Sequence, residues 1–204
     1  MRTFRTGVRG VRSVADLTVL DFEPTIQAAS RGDERAFSAL YRAYNPMLVR
    51  YLRVVAGSTV CDDLAAETWV DVVRGLERFV GDEVGFRGWI FTIGRRRHLD
   101  WRRKEGRRPQ TVDDSDLERI PSAQDVDPAD ALGEALATQE ALDLIATLSP
   151  DQAEVVALRA IGGLDVAETA AVVGKSSGAV RVLAHRGLHR LATKLGADVP
   201  PLEV

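Results

Sequence analysis

Apolar residues recur in steps of three and four over most of the chain. Between 33 and 55, Phe37, Leu40, Tyr41, Tyr44, Leu48, Tyr51, Leu52 and Val55 make one stripe. That spacing predicts an amphipathic helix, which Pro46 kinks or splits and the Gly57-Ser58-Thr59 break ends. A second helix is predicted over 62–79, with the stripe Leu64, Trp69, Val72, Val73 and Leu76. Asp62 and Asp63 fall in its first turn, where carboxylates complement the helix dipole. After a loop at 80–85 a third helix opens near Phe86. Phe86, Trp89, Ile90, Ile93 and Leu99 can face a core while the neighbouring arginines face out. Helical patterning returns at Leu136, Leu142, Ile145 and Leu148. Ser149-Pro150 then suits the N-cap and first position of a helix over 151–161, stopped by Gly162-Gly163. No strand-like alternation reaches a convincing length, and no internal repeat is visible. The expected fold class is all-α.

The last run predicts a helix pair: a short helix at 166–173, a turn at Gly174, and a longer helix at 177–195. Ala170 is small where the helices must cross, and Gly174 can take the positive φ that the turn asks for. Leu164, Val173, Val180, Leu183, Leu188, Leu191 and Leu195 supply the apolar seam. The longer helix displays Arg181, His185, Arg186, His189, Arg190 and Lys194, with Ser176 and Ser177 at its N-terminus. Free N–H groups there suit a phosphate, and the pair has the pattern of a helix-turn-helix with its second helix in a major groove. A solvated αα-hairpin is the alternative reading of the same residues.

Composition excludes more than it identifies. The 204 residues, 45% hydrophobic, allow one domain or two small ones. No window has the roughly 18 uninterrupted apolar residues of a membrane helix. The first twenty residues lack the apolar core and cleavage site of a secretory signal, so 1–22 is expected to be an arm. Cys61 is the sole cysteine, and His98, His185 and His189 have no second ligand at metal-binding spacing. No metal or cofactor is expected, and the composition suits the cytoplasm.

Charge changes the picture. The net charge of −3 conceals two opposed blocks. Residues 85–108, GFRGWIFTIGRRRHLDWRRKEGRR, hold nine Lys and Arg against two acids. Between 109 and 134 there are eight acids against Arg119 alone, with Pro109, Pro121 and Pro128 interspersed. The acidic block reads as an extended linker, and the basic one as a surface for an acidic partner. On this reading the linker is the main counterweight, which leaves the basic patch available to nucleic acid. Trp89 reads as core. Trp101, followed directly by Arg102, Arg103 and Lys104, is balanced between packing and nucleic-acid contact.

The segments DDLAAETWVDVVRGLERF (62–79) and FRGWIFTIGRRRHLDWRRK (86–104) resemble conserved region 2 of bacterial sigma factors, closest to the extracytoplasmic-function (ECF) group. LSPDQAEVVALRAIGGLDVAETAAVVGKSSGAVRVLAHRGLHRL (148–191) is similar to their region 4. The resemblance implies two small helical domains, a region 2 bundle at 23–108 and a region 4 helix-turn-helix at 136–198. A flexible acidic linker (109–135) joins them, and 199–204 forms a tail. It further implies a factor without catalysis that binds core RNA polymerase and directs it to promoters.

The implied roles follow by position. Asp62, Asp63, Glu67, Thr68, Asp71 and Arg74 would dock on the β′ clamp helices, with the β subunit as a further polymerase contact. Arg87, Arg95, Arg96, Arg97, Trp101, Arg102 and Arg103 would grip the minus-ten element, with the loop 80–88 walling a pocket for an unstacked base. Ser176, Ser177, Arg181, His185, Arg186 and Arg190 would contact the minus-thirty-five element. A cognate anti-sigma factor is a further implied partner, and no membrane insertion is implied. The linker would imitate nucleic acid in a positively charged polymerase channel, and the two modules would move freely about it in the unbound protein. The chain departs from the family at Ala66, Gly94, Arg96, Thr169, Val182 and Leu183, most consequentially at Arg96, where Asn is common. An arginine there does not reproduce an amide's base hydrogen bonds. Two other classes compete with this reading. One is a stand-alone helix-turn-helix regulator; the other is a metal-dependent enzyme acting on DNA, for which these carboxylates are poorly placed.

Overall fold

The computed structural model describes residues 21–106 and 139–195; the predicted acidic linker and tail lie outside them, as does the predicted arm but for Asp21 and Phe22. The described residues form eight helices and no strand. They are α1 (Phe22–Ser30), α2 (Glu34–Ala56), α3 (Cys61–Leu76), α4 (Glu83–Glu105), α5 (139–146), α6 (Pro150–Ala160), α7 (Val166–Val173) and α8 (Ser177–Lys194). None is long and apolar enough to cross a membrane.

Helix α1 carries too short an apolar stripe to stand out in the sequence, yet Phe22, Ile26 and Ala29 bury it against α2. Helix α2 starts at Asp33, whose carboxylate accepts from the Ala36 N–H at 2.9 Å. It runs through Pro46 without a break. Pro46 is exposed, so water can solvate the carbonyl that loses its helical partner. Helix α4 opens one turn earlier than predicted because Asp82 caps it, accepting from the Gly85 N–H at 2.8 Å. Residues 83–88 are therefore helical, and the predicted 80–88 wall shrinks to its first residues.

The first module closes around Phe86. Its ring centroid lies 5.4 Å from Phe22, 5.2 Å from Tyr44, 5.3 Å from Phe79 and 5.9 Å from Trp89. Tilted and edge-on pairs of this kind add to the burial of apolar area. Trp69 packs beside Phe37 and Tyr41 and donates its indole N–H to Asn45 Oδ1 at 3.0 Å.

In the second module, Ser149 takes extended backbone geometry and Pro150 begins α6. A reciprocal capping box between Asp165 and Glu168 starts α7. Gly174 ends α7 at φ 68°, ψ 35°, in the left-handed region that the tight turn needs. Of the predicted seam on α8, Val180 is buried and Leu183 and Leu191 are half-buried. Leu188 and Leu195 are exposed, while Gly187, beside Leu188, is buried against α6.

The two modules are not independent. Helix α6 packs on α2 and α7 packs on α4, so the buried residues form one continuous cluster across both. The expectation of freely moving modules is corrected here. Residues Gln152 to Leu158 are all buried, because α6 is covered by the first module on one side and by α8 on the other.

Candidate polymerase and nucleic-acid interfaces

Helix α3 buries Leu64, Ala65, Thr68, Trp69, Val72 and Leu76 and leaves Asp62, Asp63, Glu67 and Arg74 exposed. Val70 and Val73 are exposed on the same helix. Thr68 does not share that surface. It is fully buried and donates its hydroxyl to the Leu64 carbonyl at 2.7 Å. Asp71 is mostly covered by arginines: Arg97 Nε at 2.7 Å, Arg96 Nη2 at 3.2 Å and Arg74 Nη1 at 3.7 Å. Burial pushes the Asp71 carboxyl up, but hydrogen bonds and charge from Arg97 and then Arg96 outweigh it and hold the group below its ordinary value. Arg97 also reaches Glu67 Oε2 at 3.4 Å.

The basic stretch thus divides into two faces of α4. Arg96 and Arg97 turn toward the acids of α3. Trp101 is half-buried and stacks on His98, with ring centroids 6.2 Å apart. Together with Leu64, Glu67, Arg97, Asp100, Arg103 and Lys104 it borders a shallow cavity of about 270 Å³. Arg103 pairs with Asp100 at 2.8 Å. Arg87, Arg95 and Arg102 lie on the other face. Arg95 donates from Nε to Glu154 Oε1 at 2.9 Å and from Nη2 to Oε2 at 3.4 Å, and Tyr51 donates its hydroxyl to the same Oε1 at 3.2 Å. Burial, then the Glu154 carboxylate, push the Tyr51 phenol far above its ordinary range. Arg87 is half-buried, and its Nε is buried without a partner among the described residues. The expectation that the whole patch is left available is corrected at three positions: Arg95, Arg96 and Arg97 are paired within the fold.

In α8, Ser176 caps the helix by accepting from the Ala179 N–H at 3.2 Å, and Ser177 is half-buried behind it. Arg181, Arg186 and Arg190 are exposed; His185 is half-buried, its ring 6.3 Å from that of His189. At about 100° per residue, Arg181 and Arg186 project roughly 140° apart, on either flank of an outer strip formed by Gly178, Val182 and His185. The turn before α8 is tied to α6 by Lys175 Nζ on Asp151 Oδ2 at 3.0 Å. Further along, α8 crosses α6 at Gly187, where an added Cβ would lie 2.8 Å from Val156 Cγ2.

Sequence reasoning missed Tyr51, Phe91, His98 and Glu154. The signal for Glu154 was available: it is a lone carboxylate inside the apolar run AEVVAL, where a carboxylate needs a partner. His98 is buried with Nδ1 unpartnered among the described residues. Burial, then the charges of Arg102 and Arg95, push its pKa down to about 4.

A helical bundle with an exposed acidic α3 face and a helix-turn-helix with a basic outer helix together define a DNA-binding protein of two all-α modules. Comparisons make this specific. Residues 40–108 match the family profile of Sigma-70 region 2 and residues 138–191 that of Sigma-70, region 4. The chain is 32% identical over 193 residues to the ECF RNA polymerase sigma factor BldN of Streptomyces coelicolor, across 92% of this chain and 70% of the relative. It is 32% identical over 179 residues to ShbA of Streptomyces griseus, across 81% and 91% respectively. Among solved structures, CnrH of Cupriavidus metallidurans, in complex with the cytosolic domain of CnrY, matches with a TM-score of 0.59 at 25% identity, covering 87% of this chain and 99% of that one. The chain belongs to the ECF sigma factors of the sigma-70 family, which direct RNA polymerase to promoters.

Proposed function

We propose a division of labour within this factor, with residues 23–108 acting as region 2 and 136–198 as region 4. Asp62, Asp63, Glu67 and Arg74, beside the exposed Val70 and Val73, form the surface for core polymerase. Thr68 sets the helix that carries them. The α4 cations and Trp101, with the short loop at 77–82, bind and open the minus-ten element. Arg181 and His185 reach toward base edges of the minus-thirty-five duplex, while Arg186 and Arg190 hold the phosphates on one flank. The protein itself performs no catalysis and acts on polymerase in the cytoplasm. An anti-sigma factor that covers its polymerase-binding surfaces holds it in check; the similar CnrH is solved in complex with the cytosolic domain of CnrY.

The observation that carries this reading is the separation of an acidic, partly apolar α3 face from the basic α8 face. The two are suited to different partners. The experiment is reconstitution with core polymerase on a promoter library, followed by mapping of transcript 5′ ends. Discrete start sites with a shared upstream pattern are expected. Failure to form a holoenzyme would sink the proposal, and tight duplex binding by the free chain would favour a stand-alone regulator.

A further inference from the structure

On α4 the residues facing the second module are Arg87, Phe91, Arg95 and Arg102, spaced by four, four and seven, so they form one stripe along the helix. The first three are engaged or enclosed from the far side, and the exposed Arg102 borders the cavity beyond them. An added Cβ on Gly163 would lie 3.1 Å from Arg87 Nη1, and one on Gly162 2.9 Å from Phe91 Cε2. Phe91 also meets Tyr51 edge-on at 5.3 Å. Glu154 of α6 takes the Arg95 fork through both carboxylate oxygens. Arg95 and Arg102 line a cavity of about 290 Å³ between the modules, with Asp151 and Glu154 on its opposite wall.

A carboxylate held by an arginine fork presents the oxygens that a backbone phosphate would present. Arg95 cannot serve both at once. Three of the cations assigned to the minus-ten element, Arg87, Arg95 and Arg102, lie on this one stripe. Arg96, Arg97 and Arg103 point elsewhere and pair with Asp71, Glu67 and Asp100 of their own module, so what the second module covers on this stripe is Arg95 and, beside Gly163, Arg87. Arg95 and Glu154 have side chains only 23% and 11% exposed, which means the pair is shielded from salt as well as from competing anions.

We propose that Glu154, with Tyr51, is a latch that holds the free factor closed. Its carboxylate stands in for promoter phosphate on Arg95, so the two modules must part before α4 can take single-stranded DNA. The inference rests on the reading of α4 as the minus-ten surface. It adds a regulatory role for α6, a helix that carries no assigned DNA contact.

The test compares the full chain with Glu154→Gln and with Tyr51→Phe, which removes only the hydroxyl. Fluorophores at exposed positions 78 and 171, introduced as Arg78→Cys and Ala171→Cys, report the separation of the modules. Cys61 will not compete for label, because it is buried and burial pushes its thiol pKa up. A fluorescent A/T-rich single-stranded oligonucleotide reports access to α4, and far-UV circular dichroism verifies that both modules stay helical. In Glu154→Gln the label separation should lengthen and oligonucleotide affinity rise by about threefold to tenfold, as expected when a masked state is depopulated. Tyr51→Phe should move both in the same direction by less. Unchanged separation and affinity in both variants would overturn the latch, as would opening without any gain in DNA affinity. A wild-type chain unable to program core polymerase would remove the promoter-directing reading, while the label separation would still decide whether the modules are latched.

Discussion

His98 shows how one residue can be decisive and nearly invisible. In the sequence it sits among arginines on what reads as an outward basic face, yet its ring is only 4% exposed. It is faced by Arg95 and Arg102 on its own helix, and Asp151 and Glu154 of α6 share its cavity. With a pKa near 4 in the folded state and about 6.5 unfolded, the native protein keeps it neutral. Between those values the unfolded chain binds the proton and the folded one does not. Stability therefore falls as pH drops from about 6.5 toward 4, by roughly 2–3 kcal/mol in total. Urea midpoints measured across that range should show the fall in the wild type and a flatter profile in His98→Phe. The carboxylates titrate in both proteins, so the difference between the two curves isolates the imidazole. Parallel curves would mean that His98 is hydrated in the native state.

At the scale of elements, α8 offers two glycines that look alike in sequence and differ in consequence. A Cβ at Gly187 would meet Val156 Cγ2 at 2.8 Å and Leu148 Cδ1 at 3.4 Å. The favourable helix propensity of alanine, about 1 kcal/mol, is outweighed by repacking of the α6–α8 crossing. Gly187→Ala should therefore lower stability by about 1–2 kcal/mol. At Gly178 the nearest atom is Ser176 Oγ at 4.0 Å, so Gly178→Ala should raise stability by about 0.5 kcal/mol. Thermal denaturation of both variants checks the opposite signs. The same helix tests the assignment of its cations. Arg186→Ala should make the log–log salt dependence of duplex promoter binding shallower by about 0.9 per lost phosphate contact, and Val182→Ala should leave the slope unchanged.

These contrasts mark what was legible. Where a helix buries one face, as in α2 and α3, steps of three and four located it within a residue or three. The αL glycine and the Ser176 cap placed the turn before α8. Helix α1 escaped because its nine residues bury only Phe22, Ile26 and Ala29. The start of α4 escaped because a cap at Asp82 is a matter of one side-chain hydrogen bond. The crossing at Gly187 escaped because sequence does not say what lies opposite a small residue. Among the candidate site residues, those on exposed helix faces were readable from pattern. Thr68 and the internal pairing of Arg95, Arg96 and Arg97 were not, since both depend on which helix packs against which.

For the whole molecule, the contact between modules is the feature that sequence concealed most fully. Tyr51 and Phe91 read equally well as core of their own module, Arg95 reads as a nucleic-acid contact, and the partner that Glu154 needs is not named by the sequence. Their meeting decides whether the free factor is open or closed. The contact has two physically different parts, a charged fork at Glu154 and an apolar seat where Gly162 lies against Phe91. The seat can be disturbed alone. A Cβ at Gly162 would lie 2.6 Å from the Leu158 carbonyl oxygen and 2.9 Å from Phe91 Cε2. A backbone atom and a buried ring cannot both yield cheaply, so Gly162→Ala must shift the loop that follows α6. Net charge stays the same, and so does every ion pair of the first module. If closure depends on packing as well as on charge, Gly162→Ala should lengthen the separation between labels at 78 and 171 and enlarge the radius of gyration in solution scattering. The shift should persist in high salt, because excluded volume is not screened. Combining it with Glu154→Gln should give less than the sum of the two separate effects on closure, since both residues act on one interface. An additive pair would show that fork and seat hold different states of the protein.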